Sequence, residues 1–227
     1  ADVYYRLSGY ADKMREKGAE IAYQSYDHND LDSTSEWQRR IRHKHVQGQF
    51  DSIFKCADIT IFQVTASMDV IAFLRCAKDI YKKPLITEID DWLFDVPSYN
   101  YASSAYKPNS DAEWCAYEQI KMSDGVIVST KFLRDNITDL FPEKPVYIVK
   151  NSIDFNIWDN IKVHKTIPDK KEGMIRIGYT GCGNHDWDVE IVKKPLLALL
   201  EKYPNLEIVW SMQFDSWKQI NHPRVIY

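Results

Sequence analysis

Four short, β-branched runs recur along the chain: "ADITIFQ" at 57–63, "KPLITEIDD" at 83–91, "DGVIVST" at 124–130 and "KPVYIVKN" at 144–151. The first is nearly continuous in apolar residues, the pattern of a buried parallel strand, and the others read as strands too, with Pro84 at the entry of the second. The segments between them have helical periodicity: 67–80, "DAEWCAYEQIKMS" and "KFLRDNITDLF". Strand, helix, strand with short connections predicts a parallel sheet covered by helices, the α/β class with a Rossmann-like sheet.

The N-terminal part continues the rhythm. Residues 5–17 read as a helix, with Leu7, Ala11 and Met14 on one face and Gly18 as its stop. "AEIAYQS" at 19–25 reads as a strand. Residues 33–46 read as a second helix, opened by Ser35 and Gln38 in a capping-box arrangement. The stretch 92–110 is rich in Tyr, Ser, Asn and Pro and has no period. Residues 155–173 are polar and lysine-rich and read as a linker. A fresh unit then begins, with a strand at 174–180, a helix at about 187–203 kinked at Pro195, a strand at 206–211 and "RVIY" at the end. The expected division is a first domain over 1–155, a linker over 156–172, and the first βαβ part of a second Rossmann-like domain over 173–227. A doubly wound domain opens on a strand, whereas this chain opens on a helix, and some 55 residues cannot bury a full sheet. Both ends are therefore expected to be cut.

The bulk numbers exclude several classes. A net charge of −4 provides no general attraction to nucleic acid. No apolar run approaches the roughly 18 residues of a membrane span, and Asp2, Arg6, Asp12 and Lys13 rule out a signal-peptide shape. Cys56, Cys76, Cys115 and Cys182 contain no CxxC, which argues against a zinc site or disulfide framework and fits a reducing cytoplasm.

Two clusters can carry chemistry. Glycines stand at Gly178, Gly181 and Gly183 where the strand 174–180 gives way to a helix. Glycines there let a backbone approach an anion, and the following helix N-terminus supplies free N–H groups. The spacing is not GxGxxG, since Asp186 stands where the third glycine belongs. The strand after it ends in Trp210, Ser211 and Met212 rather than an acid, which disfavours a nicotinamide or flavin. No Gly-Lys-Ser/Thr follows, so it is not a P-loop. Gly181, Cys182, Gly183, Asn184 and His185 are the candidate diphosphate cradle, His185 as a donor, with Asp186 and Asp188 capping the helix. The alternative is a tight turn with a capped helix and an exposed histidine.

The second cluster is Glu88, Asp90 and Asp91, at the carboxyl end of "PLITEIDD", where ligands of open α/β sheets sit. Asp90 or Asp91 could orient an acceptor hydroxyl or take its proton. A divalent-ion site and a plain solvated capping pair are the competing readings. Arg6, Tyr99, Tyr101 and Tyr106 are candidates for phosphate or sugar contact, or for packing alone. "RRIRHKH" from Arg39 to His45 is either a solvated helix face or a surface for an anionic membrane or lipid phosphate.

Taken in order, "SDGVIVSTKFLRDNI", "PVYIVKNSIDFNIW" and "IRIGYTGCGNHDWDVEIVKKPLLALLEKYP" resemble group 1 glycosyltransferases of the GT-B fold, family 4 type. Asn151, Ile153 and Asp154 match that family's N-x-[IV]-D turn at the end of the acceptor domain. Gly181, His185 and Asp188 match its glycine-turn region, and "PLITEIDDWLFDVPSYN" looks like the acceptor-domain stretch of some bacterial and phage-encoded members. The resemblance implies a nucleotide-sugar donor, a glycan, lipid-linked or other hydroxyl acceptor, retaining stereochemistry, and no metal or cofactor. It places Arg6, Glu88, Tyr99, Asn151 and Asp154 along the acceptor cleft. The family's two donor-domain glutamates, about eight positions apart, are not matched by Glu201 and Glu207, which are six apart. A GT-B nucleotide-sugar epimerase and a non-catalytic sugar- or nucleotide-binding module are the rival readings, and little transfer is expected from this chain alone.

Overall fold

The computed structural model describes residues 9–21, 47–153, 155–160, 167–181, 186–211 and 222–226 of the chain. They form two compact units, one of residues 1–95 and 105–160, the other of 96–104 and 161–227. Each contains a parallel sheet with helices packed on it, a Rossmann-like α/β construction.

In the first unit, α1 (Gly9–Glu16) and α2 (residues 47–56) precede a regular alternation: β1 (Thr60–Gln63), α3 (Met68–Asp79), β2 (Leu85–Ile89), α4 (Asp111–Met122), β3 (Gly125–Val128), α5 (Lys131–Leu140) and β4 (Val146–Ile148). A one-turn helix α6 (Phe155–Trp158) follows, within the stretch expected to be linker. The sheet order is β1-β2-β3-β4, and every pair is parallel. The predicted strand at 19–25 is absent over its described residues 19–21; residues 22–46, with the predicted helix at 33–46, lie outside the description.

Alternation along the strands sorts the residues by face. Leu85 packs with Val70, Phe73, Leu74 and Ala77 of α3 and with Phe54 of α2. Ile89, Val126 and Val128 pack with Ile120 of α4 and with Leu133 and Ile137 of α5. The three crossover helices thus share one face of the sheet, as right-handed crossovers stepping in one direction require. Each such buried aliphatic side chain contributes about 1.5–3 kcal/mol of transfer free energy. Two helix starts are set by sequence: Ser110 accepts from Glu113 N–H at 3.2 Å and Thr130 from Leu133 N–H at 3.2 Å.

The last turn of α4 is held at the amino edge of the sheet by two lysines. Lys144 donates to the carbonyls of Lys121 (2.8 Å) and Ser123 (2.6 Å), and Lys78 to that of Met122 (2.7 Å). These carbonyls are the ones a helix C-terminus leaves unpaired. Asp124 joins them, accepting from Lys78 at 2.8 Å and from Leu85 N–H at 2.9 Å.

At the opposite edge, Gln119 is fully buried in α4. Its amide donates to Thr65 O at 2.5 Å and to Cys115 O at 2.9 Å, while its Oε1 accepts from Thr65 N–H at 3.2 Å. The side chain pairs with both backbone groups of Thr65, as a neighbouring strand would, and fixes the β1–α3 connection.

The second unit runs β5 (Ile175–Thr180), α7 (Asp186–Lys202), β6 (Leu206–Ser211) and β7 (Val225–Ile226), parallel in the order β5-β6-β7. Val189 and Leu200 of α7 pack on Leu206, Ile208 and Trp210. Helix α7 continues through Pro195 without a break in its assignment. Tyr179 and Trp210, cross-strand partners, stack at 4.4 Å between ring centroids with planes 7° apart. Arg224 ends α7 by donating to the carbonyls of Leu200, Tyr203 and Leu206. The Ile175–Thr180 and Leu206–Ser211 strands lie where the sequence places them.

Two predictions follow from these clamps. Gln119→Leu keeps the volume but strands the Thr65 N–H and C=O, so it should lower unfolding free energy by about 1–3 kcal/mol; chemical denaturation measures it. Asp124 behaves differently. Burial pushes its carboxyl up, but the bonds from Lys78 and Leu85 N–H and the charge of Lys144 outweigh this and hold it below its ordinary 3.8. Its contribution is therefore present above pH 3.8 and is lost as the pH falls through the lower folded value. Thermal melts from pH 6 to pH 2 should show a flatter acid limb in Asp124→Asn than in the wild type.

Candidate functional site

Parallel strands bring all their carboxyl ends to one edge, and in the first unit that edge is acidic. Strand β2 ends at Ile89. Glu88, one residue earlier, is fully buried, and its carbonyl accepts from Val64 N–H at 3.0 Å. Asp90 is half-buried and Asp91 exposed. The last ladder pair between β2 and β3 is Ile89 with Val128. One step further the chain reaches Asp90 and Asp91 on one side, Ser129 and Thr130 on the other. The three acidic residues predicted from sequence thus follow one another at the end of one central strand, Glu88 buried within it and Asp91 exposed beyond it.

Asn151 is exposed just beyond β4 at the same edge, two strand spacings or about 10 Å across the sheet from β2. Its neighbours are tied to α1. Tyr10 donates its hydroxyl to the Lys150 carbonyl and accepts from Ser152 Oγ at 2.9 Å. Tyr99 is 55% exposed and belongs to the second unit, so it does not share a unit with Asp90 and Asp91. Tyr106 is half-buried in the first unit, and burial, with lesser contributions from Cys115 and Asp91, raises its phenol above the usual value. Burial likewise raises the thiol of Cys115, whose Sγ donates to Met68 Sδ at 3.5 Å. Arg6, Asp154 and the basic run Arg39–His45 lie outside the described residues.

In the second unit Gly181 follows directly on β5 and α7 begins at Asp186. The turn therefore connects the carboxyl end of a parallel strand to a helix N-terminus. Cys182, Gly183, Asn184 and His185 lie outside the described residues, and Asp188 is exposed in the first turn of α7. Glu207 is engaged with Arg176, Nε to Oε1 at 2.6 Å, and both side chains are largely buried. Among the described residues no group of three or more His, Cys, Asp or Glu is placed to hold a metal ion, and no helix is long and apolar enough to cross a membrane.

Sequence reasoning missed three residues at the acidic edge. Gln119 stands at an apolar position of α4, in step with the buried Ala112, Cys115, Ala116 and Ile120; a glutamine in such a stripe is the available signal. Trp92 and Phe132 meet edge-to-face at 6.4 Å and 78°. They are 40 positions apart, and only the pairing of β2 with β3 brings them together.

No protein-family model matches the chain, and no curated protein matches it. Among solved structures, it resembles a Listeria monocytogenes protein described as a UDP-N-acetylglucosamine 2-epimerase, with a TM-score of 0.47 and 12% identity over 87% of this chain. It also resembles S. aureus MnaA, solved with UDP, with a TM-score of 0.46 and 17% identity over 82% of this chain. The chain spans about half of each of these, 53% and 52%.

Proposed function

We propose that the chain acts on a nucleotide sugar, as a GT-B glycosyltransferase that moves the sugar to an acceptor hydroxyl with retention. The observation that carries the reading is the strand–glycine–helix unit at β5, Gly181 and α7, preceded in order by the turn motif at Asn151–Asp154. Gly181 to His185 would cradle the diphosphate. The α7 N-terminus offers unpaired N–H groups and about half a positive charge toward it. The acidic edge of the first unit would receive the acceptor. Asp91, exposed there, would take the proton of the attacking hydroxyl, with Asp90 beside it. The sugar's anomeric carbon gains a bond to that oxygen on the face from which the diphosphate departs, as one-step retention requires, and loses its bond to the diphosphate, which leaves with the electron pair. Charge builds on the departing phosphate, where helix N–H groups stabilise it most. No metal or cofactor has a role in this reading, and a reducing cytoplasm suits the scattered thiols.

UDP titrated calorimetrically into the 227-residue chain tests the cradle. Gly181→Val should abolish binding by filling the approach. His185→Ala should weaken it by about 1.5–3 kcal/mol, the range for a hydrogen bond to a charged group. Equal binding by wild type and both variants would leave the loop as a turn only.

Incubation with a panel of UDP-sugars and hydroxyl acceptors separates the reaction classes. Transfer to an acceptor supports the transferase, and Asp91→Asn should then slow it by about 10²–10⁴-fold with little change in UDP affinity. Sugar interconversion without acceptor identifies an epimerase, and UDP binding with neither reaction, when it persists in a chain with a complete donor domain, identifies a binding module.

A further inference from the structure

Beside the carboxylates at the acidic edge stands an aromatic pair that the proposed chemistry does not use. Trp92 follows Asp91 directly, is half-buried, and is steadied from below by an edge contact with Phe94 at 5.2 Å and 68°. Phe132 is the second residue of α5 and 61% exposed. A phenyl ring in the first turn of a capped helix, held against a neighbouring indole at 6.4 Å, is a fixed apolar surface. Trp92 packs with Leu93 and Phe94 on the buried core, so the exposed part of the pair is small, and the helix surface around Phe132 is polar. Lys131 pairs with Asp135 at 2.6 Å and Arg134 with the same carboxylate at 2.7 Å on the next turn. On the other side lie Asp91 and the buried Ser129.

An apolar patch of one or two rings inside a rim of charges is poorly matched to a long alkyl chain, which needs continuous apolar area. It matches a pyranose. One face of such a ring is a set of C–H groups that rests on an aromatic surface, and its edge is hydroxyls that donate to a carboxylate. We propose that the Trp92–Phe132 pair is a stacking platform for a sugar ring, with Asp91 receiving a ring hydroxyl. On the transferase reading, on which its role as acceptor site rests, this makes the acceptor a carbohydrate rather than a bare lipid alcohol.

The test uses the full chain and four named probes, the methyl glycosides of glucose, galactose, mannose and N-acetylglucosamine. Saturation-transfer NMR should show transfer to the C–H protons of one ring face for at least one glycoside. Phe132→Ala, at an exposed position, should melt within a degree or two of the wild type and weaken that glycoside by about two- to tenfold. Asp91→Asn should weaken it without moving transfer to the opposite ring face. Absence of transfer from all four glycosides overturns the proposal, as does equal affinity in wild type and Phe132→Ala. Octanol, run in parallel, reports the other occupant: saturation of its chain that Phe132→Ala removes, with none for the glycosides, also overturns it. The platform and the nucleotide reading fail separately, because UDP binding is measured on the same samples and depends on the Gly181 turn.

Discussion

Parallel pairing is the constraint on which the rest of the molecule depends. Two parallel strands cannot be joined by a hairpin, so each return must cross the sheet through a helix. In the first unit α3, α4 and α5 make these returns on one face. One consequence is energetic: β2 is buried along nearly its whole length, and Thr87 and Glu88 are buried with Leu85 and Ile89. The other is geometric. Every strand ends at the same edge, and residues far apart in sequence, such as Trp92 and Phe132, become neighbours there. Gln119 then sets where the β1–α3 connection lies by pairing with both backbone groups of Thr65. The amino edge is closed by Lys78, Lys144 and Asp124 bonding to backbone. Structural polar groups thus gather at one edge, and candidate chemical groups at the other.

Elements whose stability comes from regular burial were legible in the sequence. The strands at 60–63, 85–89, 125–128, 146–148, 175–180 and 206–211 all fall within predicted apolar runs. The helices at 111–122 and 131–140 start at Ser110 and Thr130, whose side chains cap them. Helix α2 was not predicted, although Phe50, Ile53 and Phe54 carry an apolar face, because the expected helix was placed upstream, at 33–46. The one-turn helix at 155–158 has too few residues to show a period. Helix α7 falls where the sequence placed it and runs through Pro195: a proline removes one N–H donor, but burial of Val189 and Leu200 on either side holds both halves to one sheet.

For the candidate site, position along a strand was legible and partnership across strands was not. Glu88, Asp90 and Asp91 belong to one short segment, so their placement at the end of β2 follows from where the apolar run stops. Gly181 follows β5 for the same reason. Trp92 with Phe132 and Gln119 with Thr65 are contacts 40 and 54 positions apart. They exist only after the register Ile89 to Val128 and the seat of α4 are set, and a single sequence carries neither. Tyr99 illustrates the converse. It was expected along the acceptor cleft from its place in an aromatic loop, and which unit that loop, residues 96–104, groups with was not readable from the sequence.

The contrast between the two carboxyl edges bears on which ligand each could take. A diphosphate brought to the first unit's edge would approach Asp90 and Asp91. At about 4–6 Å, two like charges repel by roughly 3–4 kcal/mol at an effective dielectric of 20, and nothing in the helix starts there is placed by a glycine turn. A neutral hydroxyl at the same place meets an acceptor instead of a like charge. The second unit's edge differs: Gly181, with no side chain, follows β5, and α7 is long enough to carry a full terminal dipole. Asp186 and Asp188 are opposing charges there, and both positions lie in the first turn of α7. On the proposed nucleotide-sugar reading, charge therefore favours the anion at Gly181 and the neutral hydroxyl at Asp91, whichever sugar is carried.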